Sequence, residues 1–248
     1  MTIRWLGHAT VVFETAGATL VTDPLLRSRV AHLRRHAAPA VAPARVDAVL
    51  LSHLHHDHLD MRSLRDVSAL VLGPPGTRRA LRRYGPGVRE LRPGEAAEIG
   101  GARVRAVTAV HDGRRLGRGP RRADDALGFV VEGDGRRAYF AGDTELFDGM
   151  ADLGMLDVAL VPIWGWGPRL GPGHMDPEEA ARAVALLRPA VAVPIHWGTY
   201  LPLGRGRRLR ALLVDPATKF CERAAELAPD VRVEVLEPGG ELVIADHG

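Results

Sequence analysis

Near the start of the chain, apolar residues fall in short runs at 2–6, 9–14 and 18–22. Their alternation predicts a β-meander, with Ala16-Gly17 as a turn and Asp23-Pro24 stopping the third strand. The stretch 27–45 is rich in Arg, Ala and Pro and reads as a long irregular connection, a kind of loop that is often functional or mobile. Residues 47–52 form a continuous apolar run, a strand buried on both faces, which ends directly in a histidine-rich loop. A helix over 59–68, a strand over 69–72 and a helix over 75–83 follow, then strands at 88–91, 95–99 and 102–108.

In the second half, 127–132 and 137–141 read as a hairpin across Gly133-Asp134-Gly135. A strand at 157–161 leads into a Trp/Gly/Pro loop ending at His174. Asp176-Pro177-Glu178-Glu179 is a helix start, with an aspartate cap, a first-turn proline and a glutamate at the capping-box position. That helix runs to about Leu187, and a strand over 190–195 ends at His196. A helix near 216–227 and strands near 231–235 and 241–244 complete the chain. This order predicts an α/β fold in which two mixed sheets pack face to face with helices outside, the halves loosely alike. The length suits one domain spanning 1–248.

Chemistry concentrates in His53-Leu54-His55-His56-Asp57-His58. Imidazoles and a carboxylate are ligands that zinc, manganese and iron accept. One tetrahedral ion cannot take all of these donors without strain. A loop can turn His53 and His55 toward one ion and Asp57 and His58 toward a second, and hydrolytic two-metal sites space their ions roughly 3.5–4 Å apart. His111, Asp143 and His196 each follow a predicted strand, where loops converge at a sheet edge.

The His-x-His-x-Asp-His pattern, followed in order by His111, by Asp143 in Gly142-Asp143-Thr144 and by His196, resembles the metallo-β-lactamase superfamily. Trp5-Leu6-Gly7-His8-Ala9-Thr10, Gly173-His174-Met175-Asp176-Pro177-Glu178-Glu179-Ala180 and Pro194-Ile195-His196-Trp197-Gly198-Thr199 look like one branch of it. That branch holds ascorbate-6-phosphate lactonases and N-acyl-phosphatidylethanolamine phospholipase D-like proteins. The match covers residues 2 to 200 and weakens after Tyr200. The resemblance implies an αββα sandwich, in which His53, His55 and His111 bind one ion, Asp57, His58 and His196 bind a second, and Asp143 bridges. It implies a hydrolase whose metal-bound hydroxide attacks a phosphodiester, lactone or ester of a small or lipid-like anionic substrate. Zinc is the first expectation for the two divalent ions, with manganese or iron as alternatives. The catalytic set is Asp57, Asp143 and His174.

His174 follows Gly171-Pro172-Gly173 and can bond a substrate oxyanion or protonate a leaving group; otherwise it orders the helix start. His8 either faces the metals as an outer donor or caps a turn. His56 points away from both ions, and His32, His36 and His247 are solvent-exposed. Asp23 and Asp47 read as turn residues, although either can orient a ligand histidine. Arg114, Arg115, Arg118, Arg121 and Arg122 form a charge run in the loop 112–125, read as solvated before substrate-binding. Trp164, Trp166 and Arg169 form a wall or lid, or simply pack their loop down.

The formal charge is +3 and the sequence pI about 9.6, and Lys219 is the only lysine. Heavy use of Arg, Ala, Gly and Pro reflects base composition, so the pI is weak evidence for nucleic acid. A ribonuclease-like phosphodiesterase is the alternative enzyme, but no appended RNA-binding module and no aromatics interleaved with the basic runs support it, and no stable nucleic-acid partner is expected. A di-iron redox protein would carry an acidic residue where His55 stands. A non-catalytic metal-binding protein is disfavoured by the intact donor set. Cys221 is the one cysteine and reads as a core residue, not a nucleophile. A lone cysteine, no signal-peptide pattern and no membrane-length apolar run point to the cytoplasm without a membrane anchor. Nothing in the chain specifies an oligomeric state.

Overall fold

The computed structural model describes residues 1–113 and 125–245. In chain order the first strands are β1 (Thr2–Gly7), β2 (Thr10–Thr15), β3 (Ala18–Thr22), β4 (Arg29–Val30), β5 (Leu33–Arg35) and β6 (Ala48–Leu50). Helix α1 (Met61–Val67), β7 (Leu70–Gly73), α2 (Thr77–Ala80), β8 (Val88–Glu90), β9 (Ala96–Ile99) and β10 (Ala102–Thr108) follow. Next come β11 (Leu127–Gly133), β12 (Arg136–Phe140), β13 (Val158–Pro162), α3 (Pro177–Leu187), β14 (Val191–Ile195) and β15 (Tyr200–Pro202). Helix α4 (Asp215–Leu227), β16 (Arg232–Val233) and β17 (Glu241–Val243) close the chain. Short 3-10 helices at Asp148–Leu153 and Arg210–Leu213 were not expected from the sequence.

One sheet has the order β17-β1-β2-β3-β6-β7-β8 and the other β16-β14-β13-β12-β11-β10-β9. Each joins an antiparallel meander to a run of parallel strands: β3, β6, β7 and β8 in the first, β12, β13, β14 and β16 in the second. The large apolar cluster between them includes Trp5, Phe13, Phe129 and Phe140, all fully buried. Each such side chain contributes about 1.5–3 kcal/mol by leaving water. A second cluster, with Val49, Leu51, Leu64 and Val71, packs α1 on the outer face of the first sheet. On the second sheet, α3 and α4 lie against each other, and α3 covers β13. This is the αββα sandwich expected from the sequence.

Local chemistry sets the helix ends. Asp60 caps α1, its side chain accepting from the Ser63 backbone N–H at 2.8 Å. Asp176 caps α3 in a complete capping box with Glu179, and Pro177 fills the first turn. The connection expected to be irregular over 27–45 instead holds the β4–β5 hairpin, which pairs with β15 in a small third sheet. The pairing is non-local, so the chain around β4 and β5 carries no signal for it. The strand predicted over 47–52 is shorter, Ala48–Leu50, although the Leu51 N–H still donates to the Leu72 carbonyl at 2.8 Å. Among the described residues no helix is long and apolar enough to cross a membrane.

Candidate metal centre

Strands β1 and β6 run in one direction in their sheet, as do β10, β12, β13 and β14 in theirs. The loops that leave them carry His8, His53 to His58, His111, Asp143, the Trp164–His174 loop and His196. All of these converge at one edge of the sandwich. The His196 backbone N–H donates to the His8 carbonyl at 2.9 Å across the two sheets. Both residues have left-handed backbone, φ 54° at His8 and 62° at His196. Non-glycine residues hold that conformation when their surroundings over-determine it, and such strain clusters at functional sites.

Asp143 sits at the centre, 2 % exposed. One of its oxygens lies 3.1 Å from His58 Nε2, 3.3 Å from His174 Nε2 and 3.9 Å from His53 Nε2. The other lies 3.2 Å from His196 Nε2. His55 Nδ1 and His111 Nε2 face each other at 3.2 Å. Asp57 Oδ2 is 3.8 Å from His58 Nε2 and 3.9 Å from His196 Nε2. All seven donors anticipated from the sequence therefore meet, in overlapping groups whose ligand atoms lie within 4.8 Å of one another.

Outer contacts fix the proton positions. His111 Nδ1 lies 2.7 Å from the Gly173 carbonyl and His196 Nδ1 2.8 Å from the Trp164 carbonyl. A carbonyl only accepts, so Nδ1 carries the proton and the neutral ring turns a bare Nε2 lone pair inward. The Ser52 hydroxyl donates to Asp23 at 2.5 Å, so it accepts from His53 Nδ1 at 2.9 Å. That leaves His53 Nε2 unprotonated, fully buried and without a hydrogen-bond partner, as is Asp143 Oδ1. Buried orphans of this kind are costly unless something electropositive meets them. Divalent cations are the species that this mixture of imidazole lone pairs and carboxylates fits.

The electrostatics agree. Burial alone would push the Asp143 carboxyl up, but His196 and His58 hold it well below the usual range. Burial likewise opposes ionisation of Asp57, which His58 and His8 hold well below normal. His53 is driven well below its ordinary value by burial and by the neighbouring His58 and His111. Burial pushes His111 down to about 4 and His196 to about 3. His58 goes the other way: against its burial, Asp143, Asp23 and Asp57 raise it well above normal. Among the described residues, no Arg or Lys pairs with these three carboxylates, so the centre demands positive charge from elsewhere.

Two glycines are dictated by close approach. Gly173 has φ +83°, and a Cβ there would lie 2.5 Å from His111 Nδ1. Gly142, at φ +63°, brings the Asp143 loop against Ser52, whose Cβ would sit 2.9 Å from a side chain at 142. His174 is 22 % exposed, its Nδ1 within 3.2 Å of the Gly171 and Pro172 carbonyls. Both ring nitrogens thus face acceptors. Although burial opposes it, the bond to Asp143 pushes the ring up to about 9. A cavity of about 510 Å³ opens beside it, lined by His55, Val110, His111, Pro172 and Gly173 among others.

The turn reading of Asp23 is corrected. This fully buried carboxylate binds His58 Nδ1 at 2.8 Å and the Ser52 backbone N–H at 2.7 Å. The turn reading of Asp47 holds, since it accepts from the Thr19 N–H and pairs with Arg45. His8 faces the centre: 1 % exposed, it contacts Asp57 Oδ2 through Nε2 at 3.1 Å, and its ring centroid lies 3.9 Å from that of His196. Trp166 donates to the same Asp57 oxygen at 3.1 Å, while Trp164 bonds its own loop at the Gly167 carbonyl. His56 is exposed and lies outside the donor groups. Cys221 is half-buried on α4. The arginines at 114–122 and His247 lie outside the described residues.

Residues 18–197 match the family described as the Beta-lactamase superfamily domain. A UPF0173 metal-dependent hydrolase of Methanopyrus kandleri is 34 % identical over 248 residues, covering 96 % of this chain and 98 % of that protein. This chain belongs to the metallo-β-lactamase superfamily, among its metal-dependent hydrolases. Another superfamily relative, N-acyl-phosphatidylethanolamine-hydrolyzing phospholipase D 1 of Caenorhabditis elegans, is 32 % identical over 230 residues, covering 81 % of this chain and 64 % of that protein. The fold is shared with the metallo hydrolase Igni18 of Ignicoccus hospitalis, at a TM-score of 0.71 and 24 % identity over 98 % of each chain.

Proposed function

We propose that the protein hydrolyses a phosphodiester, or a lactone or other ester, of a small or lipid-like anionic substrate at a two-metal centre. His53, His55 and His111 hold one ion, Asp57, His58 and His196 hold the other, and Asp143 serves both. The observation that carries this reading is the buried Asp143 carboxylate with four histidine nitrogens within 3.9 Å and one oxygen left without a hydrogen bond. Divalent ions in such a set supply Lewis acidity and make a water acidic enough to act as a nucleophile near neutral pH. Zinc suits the nitrogen and oxygen donors, as do manganese and iron.

The chain's own groups do the rest. His111 and His196, locked through Nδ1 by backbone carbonyls, keep their Nε2 lone pairs available. His58 and His8 hold Asp57 anionic, and His8 and Trp166 both contact one of its oxygens. His174 borders the cavity and its contact with Asp143 raises the ring to about 9, so it can donate to a developing oxyanion or pass a proton to a leaving oxygen. The cavity of about 510 Å³ is of a size that takes a small substrate or a lipid headgroup. The phospholipase relative supports the lipid-like end of the substrate range.

The test is to purify the protein without chelator, quantify bound metal, and assay bis(p-nitrophenyl) phosphate beside a panel of lactones, with Asp143→Ala as the control. Expected are about two equivalents of metal and hydrolysis that the variant lacks. The preferred substrate then separates phosphodiesterase from lactonase. Failure to bind zinc, manganese or iron after reconstitution would overturn the reading.

A further inference from the structure

Residues 203–214 follow β15 and carry Arg205, Arg207, Arg208 and Arg210 with no carboxylate among them. The whole chain is only +3, so the remainder taken together is not cationic. None of these side chains makes an ion pair or hydrogen bond among the described residues. The segment is tied to the β4–β5 hairpin: the Leu203 N–H donates to the His32 carbonyl at 2.8 Å, and a Cβ on Gly206 would lie 3.0 Å from the His36 ring. Arg34 of β5 and Arg210 flank that same ring, which burial and these two cations push below its ordinary value. Apolar side chains are exposed in the same segment: Leu203 at 44 % and Val214 at 60 %. The uncharged Ala/Pro run 37–44, which leaves the hairpin next to His36, presents Val41 at 76 %.

We propose that this face, the hairpin with residues 203–214, docks the protein onto a phospholipid bilayer bearing acidic headgroups. The charge is complementary to such a surface, and the exposed Leu and Val suit its apolar boundary. A nucleic-acid surface would interleave aromatic rings with the arginines, and neither 27–45 nor 203–214 contains Phe, Trp or Tyr. The face also adjoins the centre. His32, at the hairpin tip, packs edge-on against Trp166 with ring centroids 4.6 Å apart, and Trp166 donates to Asp57.

The experiment is sedimentation of the metal-loaded full chain with vesicles of phosphatidylcholine alone or mixed with phosphatidylglycerol. Binding is expected to the mixed vesicles only, and to fall as salt is raised. Each cation near an acidic membrane surface is worth roughly fivefold in partitioning, so R205Q/R207Q/R208Q should bind on the order of 100-fold more weakly. Leu203→Ser and Val214→Ser should each give a smaller loss. Because the altered positions are exposed, the melting curve and the hydrolysis of a soluble chromogenic ester should stay at the parental level. Equal binding to both vesicle types, no binding at low salt, or a triple variant that binds like the parent would overturn the proposal. So would a single-stranded oligonucleotide that displaces the vesicles through the same arginines. Vesicle binding is read without turnover, so its outcome is separate from that of the hydrolytic assignment.

Discussion

The two donor groups around Asp143 are built from similar side chains yet differ in how they are enclosed. His8, Asp57, His58 and His196 form a sealed group: the three histidines are at most 1 % exposed and Asp57 is 16 % exposed. Each is braced from behind or alongside, His58 by Asp23, His196 by the Trp164 carbonyl, and Asp57 by His8 and Trp166. His53, His55 and His111 form a group open on one side: His53 is fully buried, but His55 and His111 line the cavity with His174. Bracing orients donors and raises their affinity for a cation, whereas openness admits substrate. On the proposed reading, the sealed side holds its ion and the open side receives substrate.

The largest expected effect removes what the groups share. Asp143→Ala should cut metal content by at least half and turnover by on the order of 10³-fold or more, read by elemental analysis and single-turnover kinetics. Next, Asp23→Asn should weaken the sealed group more than the open one, toward the upper end of the roughly 10–100-fold range for an outer carboxylate, because Asp23 bonds His58 directly but reaches His53 only through the Ser52 hydroxyl. Competition with a chromogenic chelator would resolve the two binding steps, and equal weakening of both would break the comparison. His8→Asn keeps a residue tolerant of left-handed backbone while removing the ring at Asp57; about tenfold weaker binding at the tighter step is expected.

Chelated protein should be most stable near pH 6.5. His111 and His196 have folded values of about 4 and about 3, below their ordinary 6.5. The unfolded chain therefore takes up more protons below 6.5, and their contribution, full above 6.5, is lost as pH falls toward 4 and 3. His174, raised to about 9, contributes stability that is full below 6.5 and lost as pH rises through 9. Melting temperature against pH in chelator should show both limbs, and His174→Gln should flatten the alkaline one. The smallest effect lies away from both groups: Asp176→Ala should cost about 1 kcal/mol through the lost α3 cap, leaving metal content unchanged.

Much of this was legible beforehand. The cap of α3 follows from residues near one another in the chain, and the strands of the two-sheet sandwich from local alternation; grouping His53, His55, Asp57 and His58 with the distant His111, Asp143 and His196 rests on the family resemblance. The role of Asp23 did not, since an aspartate before a proline reads as a turn. It meets Ser52 and His58 because β3 and β6 are parallel neighbours in a register that pairs Thr22 with Leu50. The β4–β5 hairpin escaped for a similar reason, its partner β15 lying far along the chain.

The sequence by itself determined which donors exist and that each follows a strand, because side-chain chemistry and strand periodicity are written residue by residue. The tertiary structure alone decided which nitrogen of each imidazole faces inward, that His8 joins Asp57, and that one group is sealed while the other opens to a cavity. Those properties are distances between loops from different strands, and only the packing of two sheets sets them.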